Sequence, residues 1–143
     1  MPIPALLIIL SVFGFLISFY FMVVRYRWIN PELPYLPRVC RLDQQSCSLI
    51  SFTREAQILG IPNSFLGMVY YLTMFTSMLV PRPRTDMEIR TLFILSLVSV
   101  MMGAYLTSSL LLKLNARCVL CFSVHLINVT IMLLLMDHVS QAS

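Results

Sequence analysis

Four long stretches without a charged residue constrain this chain more than any other feature of its sequence. They cover residues 3–24, 61–80, 91–112 and 118–136. An α-helix rises about 1.5 Å per residue, so each stretch is long enough, or nearly so, to cross about 30 Å of hydrocarbon. Because 59% of the residues are hydrophobic and only 11% are charged, we predict an all-α integral membrane protein. Residues 1–143 are expected to form one membrane domain, a four-helix bundle.

The connections between these stretches determine where the cysteines lie. Residues 25–60 form the one sizeable polar segment, a long loop between the first two helices that contains Cys40 and Cys47. Cys118 and Cys121 open the fourth stretch, directly after the connection 113–117. Two membrane crossings separate that connection from residues 25–60, so both lie on the same side. We therefore expect all four cysteines at one membrane face.

The spacings C-x6-C and C-x2-C are compatible with static disulfides, a metal site or a redox relay. Zinc knuckles usually have two to four residues between cysteines, so the wider pair disfavours a metal and we predict none. A membrane bundle already satisfies its backbone within helices and has little need of disulfides for stability. Static disulfides in a non-catalytic membrane scaffold nevertheless remain an alternative.

The position of the C-x2-C pair favours redox chemistry. Unpaired backbone N–H groups and the positive end of the helix dipole stabilise a thiolate at a helix start. Arg117, directly before Cys118, adds a positive charge. The net charge of +4 does not indicate a binding surface for nucleic acid, because the basic residues are scattered between the apolar stretches and form no patch. We expect no nucleic-acid partner.

A polar stripe follows the C-x2-C pair along the fourth helix. Cys118, Cys121, His125 and Asn128 recur at steps of three, four and three, which places them on one helix face. Polar side chains within a membrane usually face the bundle interior. For Asn128 we predict an interhelical hydrogen bond. His125 is either a bundle histidine of that kind or a group that hydrogen-bonds a ligand carbonyl or protonates a leaving thiolate.

The second helix begins near Pro62, and Asn63 or Ser64 is predicted to cap it. The loop cysteine pair, the segment N-S-F-L-G at residues 63–67 and the C-x2-C pair occur in an order that resembles the vitamin K epoxide reductase family. The resemblance covers about residues 40–135. The short first loop and the sequence G-I-P at residues 60–62 resemble the prokaryotic branch, here with four helices and without a fused thioredoxin-like domain.

The resemblance implies roles for individual residues. Cys118 and Cys121 would be the active-site pair, with Cys121 nearest the quinone, and Asn63 would hydrogen-bond a quinone carbonyl. Cys40 and Cys47 would be the shuttle pair: Cys47 would exchange with Cys118, and Cys40 would meet the thiol donor. The implied donor is a separate thioredoxin-fold thiol protein, and the acceptor is ubiquinone, menaquinone or a phylloquinone-like quinone in the lipid.

The implied function is therefore a thiol-disulfide oxidoreductase coupled to a membrane quinone, which supports disulfide bond formation. Reduction of vitamin K epoxide in the strict sense is an alternative within the same family. His125 stands where animal members have a tyrosine that contacts the quinone, so it is a candidate quinone-binding residue and leaves the substrate open.

The distribution of basic residues and the family resemblance predict opposite orientations of the protein in the membrane. Three arginines, at positions 82, 84 and 90, lie on the side away from the cysteines. The cysteine side carries seven basic residues, Arg25, Arg27, Arg38, Arg41, Arg54, Lys113 and Arg117, and the positive-inside rule would put them in the cytoplasm. The family resemblance implies an extracytoplasmic cysteine face, where disulfides persist. We expect the extracytoplasmic orientation.

Overall fold

The computed structural model describes residues 2–26, 28, 54–114 and 118–142 of the 143-residue chain. Four α-helices dominate: α1 (Ile3–Arg25), α2 (Asn63–Leu79), α3 (Asp86–Ser109) and α4 (Val119–Ala142). A five-residue π-helical turn, Leu110–Leu114, continues α3. The predicted fold class, an all-α membrane four-helix bundle, is confirmed.

Three of the described helical segments are long and apolar enough to cross a membrane: Ile3–Arg25, Asp86–Lys113 and Val119–Ser140. The remaining helix, α2, has 17 residues. At 1.5 Å per residue it covers about 25 Å, the short end of the range for a membrane-spanning helix.

A short β-hairpin precedes α2 and sets its starting point. After a 3₁₀ turn at Arg54–Ala56, strand β1 (Gln57–Ile58) pairs antiparallel with β2 (Ile61–Pro62). The two turn residues, Leu59 and Gly60, have φ values of 53° and 83°. A type I′ turn requires positive φ at both central positions, and Gly60 adopts it at no steric cost.

The prediction that Asn63 or Ser64 caps α2 is wrong. The residue before the first helical turn is Pro62, which belongs to β2 and has an extended backbone with φ −59° and ψ 132°. In the described part of the chain, no side chain hydrogen-bonds to cap the start of this helix. Asn63 and Ser64 instead belong to the first turn of α2, where their side chains can face the bundle interior.

Two other helices are longer than their apolar stretches. α3 begins at Asp86, five residues before the predicted start, because the Thr85 hydroxyl accepts a hydrogen bond of 3.3 Å from the Glu88 backbone N–H. Thr85 and Glu88 have the spacing of a capping box. α4 continues to Ala142, beyond the predicted end at residue 136. Hydropathy marks the hydrocarbon boundary, whereas capping and backbone hydrogen bonds determine where a helix ends.

The helices associate as two close pairs. α1 packs mainly against α2, and α3 packs mainly against α4, whereas α2 and α3 make little contact. Glycines permit the close approach: the Tyr71 ring occupies the space that a Cβ at Gly14 would need. A Cβ at Gly67 would likewise lie 2.8 Å from the Ser18 hydroxyl oxygen. Small residues are the usual means by which membrane helices pack closely.

The interior differs between the two ends of the bundle. At the end away from the cysteines, seven buried side chains form one continuous core: Leu7, Tyr71, Met74, Met78, Leu92, Ile131 and Leu135. We call this end the packed half. At the other end, a small cluster around Leu110 and Cys118 lies beside an open interior. We call this end the cavity half.

Candidate functional site

The cavity half encloses a space of about 520 Å³. Side chains of α2 and α3 form its walls, α4 forms its back, and α1 and the β-hairpin contribute at the cysteine end. Most of the lining is apolar, and its polar members are Ser18, Asn63, Ser64, Tyr70, Tyr71, Thr73, Ser99, Cys121, His125 and Asn128. This volume lies within the range of about 300–1,000 Å³ that is usual for small-molecule sites.

Three of the predicted site residues meet at this cavity. Asn63 comes from the first turn of α2, while Cys121 and His125 lie one turn apart on α4. Asn63 is at least 58 residues away from Cys121 and His125 along the chain. The bundle therefore brings an amide, a thiol-bearing residue and an imidazole around one apolar space.

The C-x2-C pair lies at the start of α4, as its sequence position suggested. Cys118 directly precedes the helix, and its backbone carbonyl accepts a hydrogen bond of 3.1 Å from the Phe122 N–H. Its side chain is fully buried against Leu110. Cys121 is half-buried in the first turn and lines the cavity, so it is the cysteine of this pair that a ligand there would contact.

Asn63 has its position because of the hairpin. Pro62 ends β2, so the helix begins one residue later and the Asn63 amide is not used in capping. The side chain lines the cavity with both its donor and its acceptor available in the described part of the chain. An amide at the edge of an apolar space can hydrogen-bond a ligand carbonyl.

His125 packs against a glycine of α3. A Cβ at Gly103 would lie 2.5 Å from the imidazole Nδ1, so this ring fits only because residue 103 has no side chain. Nδ1 is buried and has no hydrogen-bond partner among the described residues. The ring nevertheless lines the cavity. One edge of the imidazole is therefore sealed against α3, and the other edge is left for the cavity.

Two interhelical hydrogen bonds close the cavity on the side of the packed half. The Tyr71 hydroxyl donates to Asn128 Oδ1 at 2.5 Å, which links α2 to α4. The predicted interhelical hydrogen bond of Asn128 is thus confirmed. The hydroxyl oxygens of Tyr70 and Ser96 are 2.9 Å apart and link α2 to α3.

Tyr71 was not predicted as a site residue, although the sequence contains a signal for it. Asn63, Gly67 and Tyr71 recur at steps of four, which places them along one face of α2. All three line the cavity. The partner of Tyr71 could not be found in this way, because the spacing along one helix does not say which residue of another helix lies opposite.

Cys40, Cys47 and Arg117 lie outside the described residues. Their predicted roles stay predictions. The described end of the first loop, residues 54–62, lies at the same end of the bundle as Cys121, since Ala56 and Ile58 line the same cavity. That position agrees with the expectation that the loop and the start of α4 share one membrane face.

Comparison with known proteins assigns the family. A search of curated proteins found no match. The family model described as "Vitamin K epoxide reductase family" matches residues 5–136. The match includes α2, α3, the hairpin, the cavity, both cysteine pairs and most of α1 and α4. The chain belongs to the vitamin K epoxide reductase family.

Proposed function

We propose that this protein passes electrons from a thioredoxin-fold dithiol partner to a membrane quinone and thereby supports disulfide bond formation. The family consists of membrane oxidoreductases of broadly thiol and quinone chemistry. The observation that carries the finer proposal is that Cys121, Asn63 and His125 line one apolar cavity. A redox-active sulfur and two hydrogen-bonding groups around an apolar space are what a quinone site requires.

The cavity suits a lipid-soluble ring. A quinone has two carbonyl oxygens on an otherwise apolar ring, and Asn63 and His125 offer hydrogen-bonding groups from α2 and α4. α2 and α3 make little contact, and Leu66, Val69 and Val98, which line the cavity from these two helices, are exposed and apolar. This apolar gap gives a lipid-soluble substrate a route from the membrane into the cavity.

The proposed chemistry transfers two electrons and two protons. The Cys118 and Cys121 thiols lose both and form a disulfide, while the quinone gains both and becomes a hydroquinone. The position of the pair at the start of α4 favours the thiolate, since the helix dipole is positive there. Cys121 lines the cavity and would face the quinone, whereas Cys118 is buried behind it.

Reduction of this disulfide would come through the loop pair. A dithiol of the partner reduces the Cys40–Cys47 disulfide, and Cys47 then attacks Cys118 through a mixed disulfide. The net result is one disulfide in the partner and one hydroquinone in the membrane. We place the cysteine face outside the cytoplasm, because a disulfide-forming reaction fits an oxidising compartment.

The orientation has its own test. Reporters that are active only outside the cytoplasm would be attached in the loop between α2 and α3 and at the C-terminus. Both positions lie at the end of the bundle away from Cys121, so both should be silent. Activity at both would reverse the proposed orientation and leave the geometry of the cavity unchanged.

Turnover of purified protein tests the proposed reaction. Protein in lipid nanodiscs, supplied with a reduced thioredoxin-fold protein, should reduce added ubiquinone or menaquinone. Cys121→Ala should abolish the reaction. Ser123→Ala is the matched control, because Ser123 lies on the same turn, does not line the cavity and hydrogen-bonds the Val119 carbonyl of its own helix. An unchanged rate in the Cys121 variant would refute the proposal.

Alkylation separates the relay from static disulfides. A relay changes between oxidised and reduced thiols as donor and quinone are added, whereas static disulfides resist mild reductants. Mass spectrometry after alkylation should therefore find Cys118 and Cys121 modified in the presence of donor and protected after quinone is added. Cysteines that stay unmodified under both conditions would favour a scaffold.

A further inference from the structure

We infer that His125 binds the quinone as a neutral hydrogen-bond donor through Nε2–H, and that Gly103 is the positioning residue that enforces this state. The inference rests on the proposed function, since it assumes that a quinone carbonyl occupies the cavity. It selects between the two roles that the sequence left open for His125, namely hydrogen bonding to a carbonyl and transfer of a proton to a thiolate.

The orientation of the imidazole follows from its contacts with α3. A Cβ placed on Gly103 would lie 2.5 Å from Nδ1, 3.1 Å from Cε1 and 3.2 Å from Cγ. These three atoms form the edge of the ring that faces Gly103. The ring also lines the cavity, so the opposite edge, with Cδ2 and Nε2, is the one that faces the open space.

The contact with Gly103 also decides which nitrogen carries the proton. Nδ1 is buried and lacks a hydrogen-bond partner among the described residues. Its close approach to the glycine backbone leaves no room for a bridging water. A proton on Nδ1 would be a buried donor without an acceptor, which proteins avoid more strictly than an unused lone pair. The proton of the neutral ring therefore belongs on Nε2.

The sealed nitrogen also limits what His125 can do. To protonate a thiolate, the imidazole would first have to become a cation, which carries a proton on both nitrogens. With Nδ1 closed off by Gly103, the cation would bury a charged donor without an acceptor, so the neutral ring is favoured. Nε2–H can still donate a hydrogen bond to an acceptor in the cavity, and a quinone carbonyl oxygen is such an acceptor.

Amide substitutions test which nitrogen matters. The side-chain nitrogen of glutamine reaches about as far as Nε2, whereas that of asparagine reaches only as far as Nδ1. His125→Ala should weaken quinone binding by roughly threefold to tenfold, the value of one hydrogen bond. His125→Gln should recover most of that loss and His125→Asn should recover none. Recovery by asparagine alone would overturn the inference.

A double-mutant cycle tests Gly103. Gly103→Ala should weaken quinone binding in the wild-type background, because the added Cβ displaces the imidazole. In the His125→Ala background the same substitution should have no effect on binding, since no ring is left to displace. An equal loss in both backgrounds would mean that Gly103 acts on the cavity by itself, and the positioning role would be refuted.

Spectroscopy tests the tautomer without any turnover. The chain has two histidines, so His138→Gln leaves His125 as the single imidazole. Nitrogen-15 NMR of this variant, labelled at histidine, should show a neutral ring protonated at Nε2 and aprotic at Nδ1. A ring protonated at Nδ1, or a cation, would overturn the inference even if Cys121-dependent quinone reduction is observed. Loss of that reduction with the Nε2–H tautomer intact would instead refute the proposed function alone.

Discussion

The packed half and the cavity half of the bundle use the same four helices in opposite ways. In the packed half, seven buried side chains fill the interior. In the cavity half, the helices enclose about 520 Å³ that no side chain fills. An apolar side chain gains little by leaving lipid for the interior, so membrane helices are held together by packing and by interhelical hydrogen bonds.

The two halves therefore have different roles, since the packed half stabilises the bundle and the cavity half holds the groups for chemistry. The packed half supplies the close contacts that hold the helices, and the cavity half is thereby free to keep an open interior with polar groups. Tyr71 and Asn128 belong to the boundary, since Tyr71 is a member of the core and both residues line the cavity. Substitutions should therefore change stability in one half and quinone binding in the other.

The largest expected effect is on stability, in the packed half. Leu135 is 1% exposed and belongs to the core, so Leu135→Ala should lower the free energy of unfolding by about 2–5 kcal/mol. Leu133 on the same helix is 49% exposed, and Leu133→Ala should change it by less than about 0.5 kcal/mol. Steric trapping in bicelles measures both values. Similar losses for the two variants would contradict the described core.

A smaller effect is expected on binding, in the cavity half. Asn63→Leu removes one hydrogen bond to the quinone and should weaken its binding by about tenfold, or about 1.4 kcal/mol. The stability of the protein should hardly change, since the Asn63 side chain does not cap α2. Titration of quinone into nanodiscs measures the affinity.

Thr76→Ala is the matched control for this variant. Thr76 lies on the same helix, donates to the Leu72 carbonyl and does not line the cavity. Its substitution should leave quinone affinity unchanged. If Asn63→Leu instead unfolds the protein, the hairpin and the start of α2 depend on the amide in a way that the geometry does not explain.

Substitutions at the boundary between the two halves should have a weaker effect on the free energy of unfolding. The Tyr71–Asn128 hydrogen bond joins α2 to α4, and such bonds in membrane bundles contribute about 0.6 kcal/mol on average. A double-mutant cycle with Tyr71→Phe and Asn128→Ala should give a coupling energy of about that size. Tyr70→Phe provides a comparison, because its partner Ser96 lies on α3. A coupling energy of zero would show that the bond does not link the halves.

The smallest effect is expected outside both halves. Arg82 forms an ion pair of 3.1 Å with Glu88 at the connection between α2 and α3, and its side chain is 58% exposed. Arg82→Ala should cost about 0.5 kcal/mol or less. Thermal unfolding in detergent at two salt concentrations measures it. A cost comparable to that of Leu135→Ala would mean that the connection, and not the core, determines the stability of the packed half.

Much of the site could be predicted from the sequence, because it depends on local periodicity and on the parity of membrane crossings. The steps between Cys118, Cys121, His125 and Asn128 predicted one interior face of α4. The last three residues line the cavity, whereas Cys118 is buried and does not line it. Parity predicted that the start of α2 and the start of α4 share one end of the bundle. Asn63 and Cys121 indeed lie at the same cavity.

Other features could not be predicted, because they depend on contacts between helices. The two-residue strands before α2 are too short to show a periodic pattern, so the sequence does not reveal that Pro62, and not Asn63 or Ser64, precedes the first helical turn. The need for a glycine at position 103 becomes visible only once the His125 ring is seen against α3. The pairing of Tyr71 with Asn128 has the same origin, because it joins residues 57 positions apart.

Photolabelling tests most directly whether the cavity holds the quinone. An azido-quinone would be irradiated with the protein in nanodiscs, and the labelled peptides would be identified by mass spectrometry. We expect labels on cavity-lining residues of α2, α3 and α4, and their loss when unlabelled quinone is added in excess. Labels confined to lipid-facing residues such as Phe13 and Leu16 of α1, with no protection by unlabelled quinone, would contradict the assignment of the cavity as the quinone site.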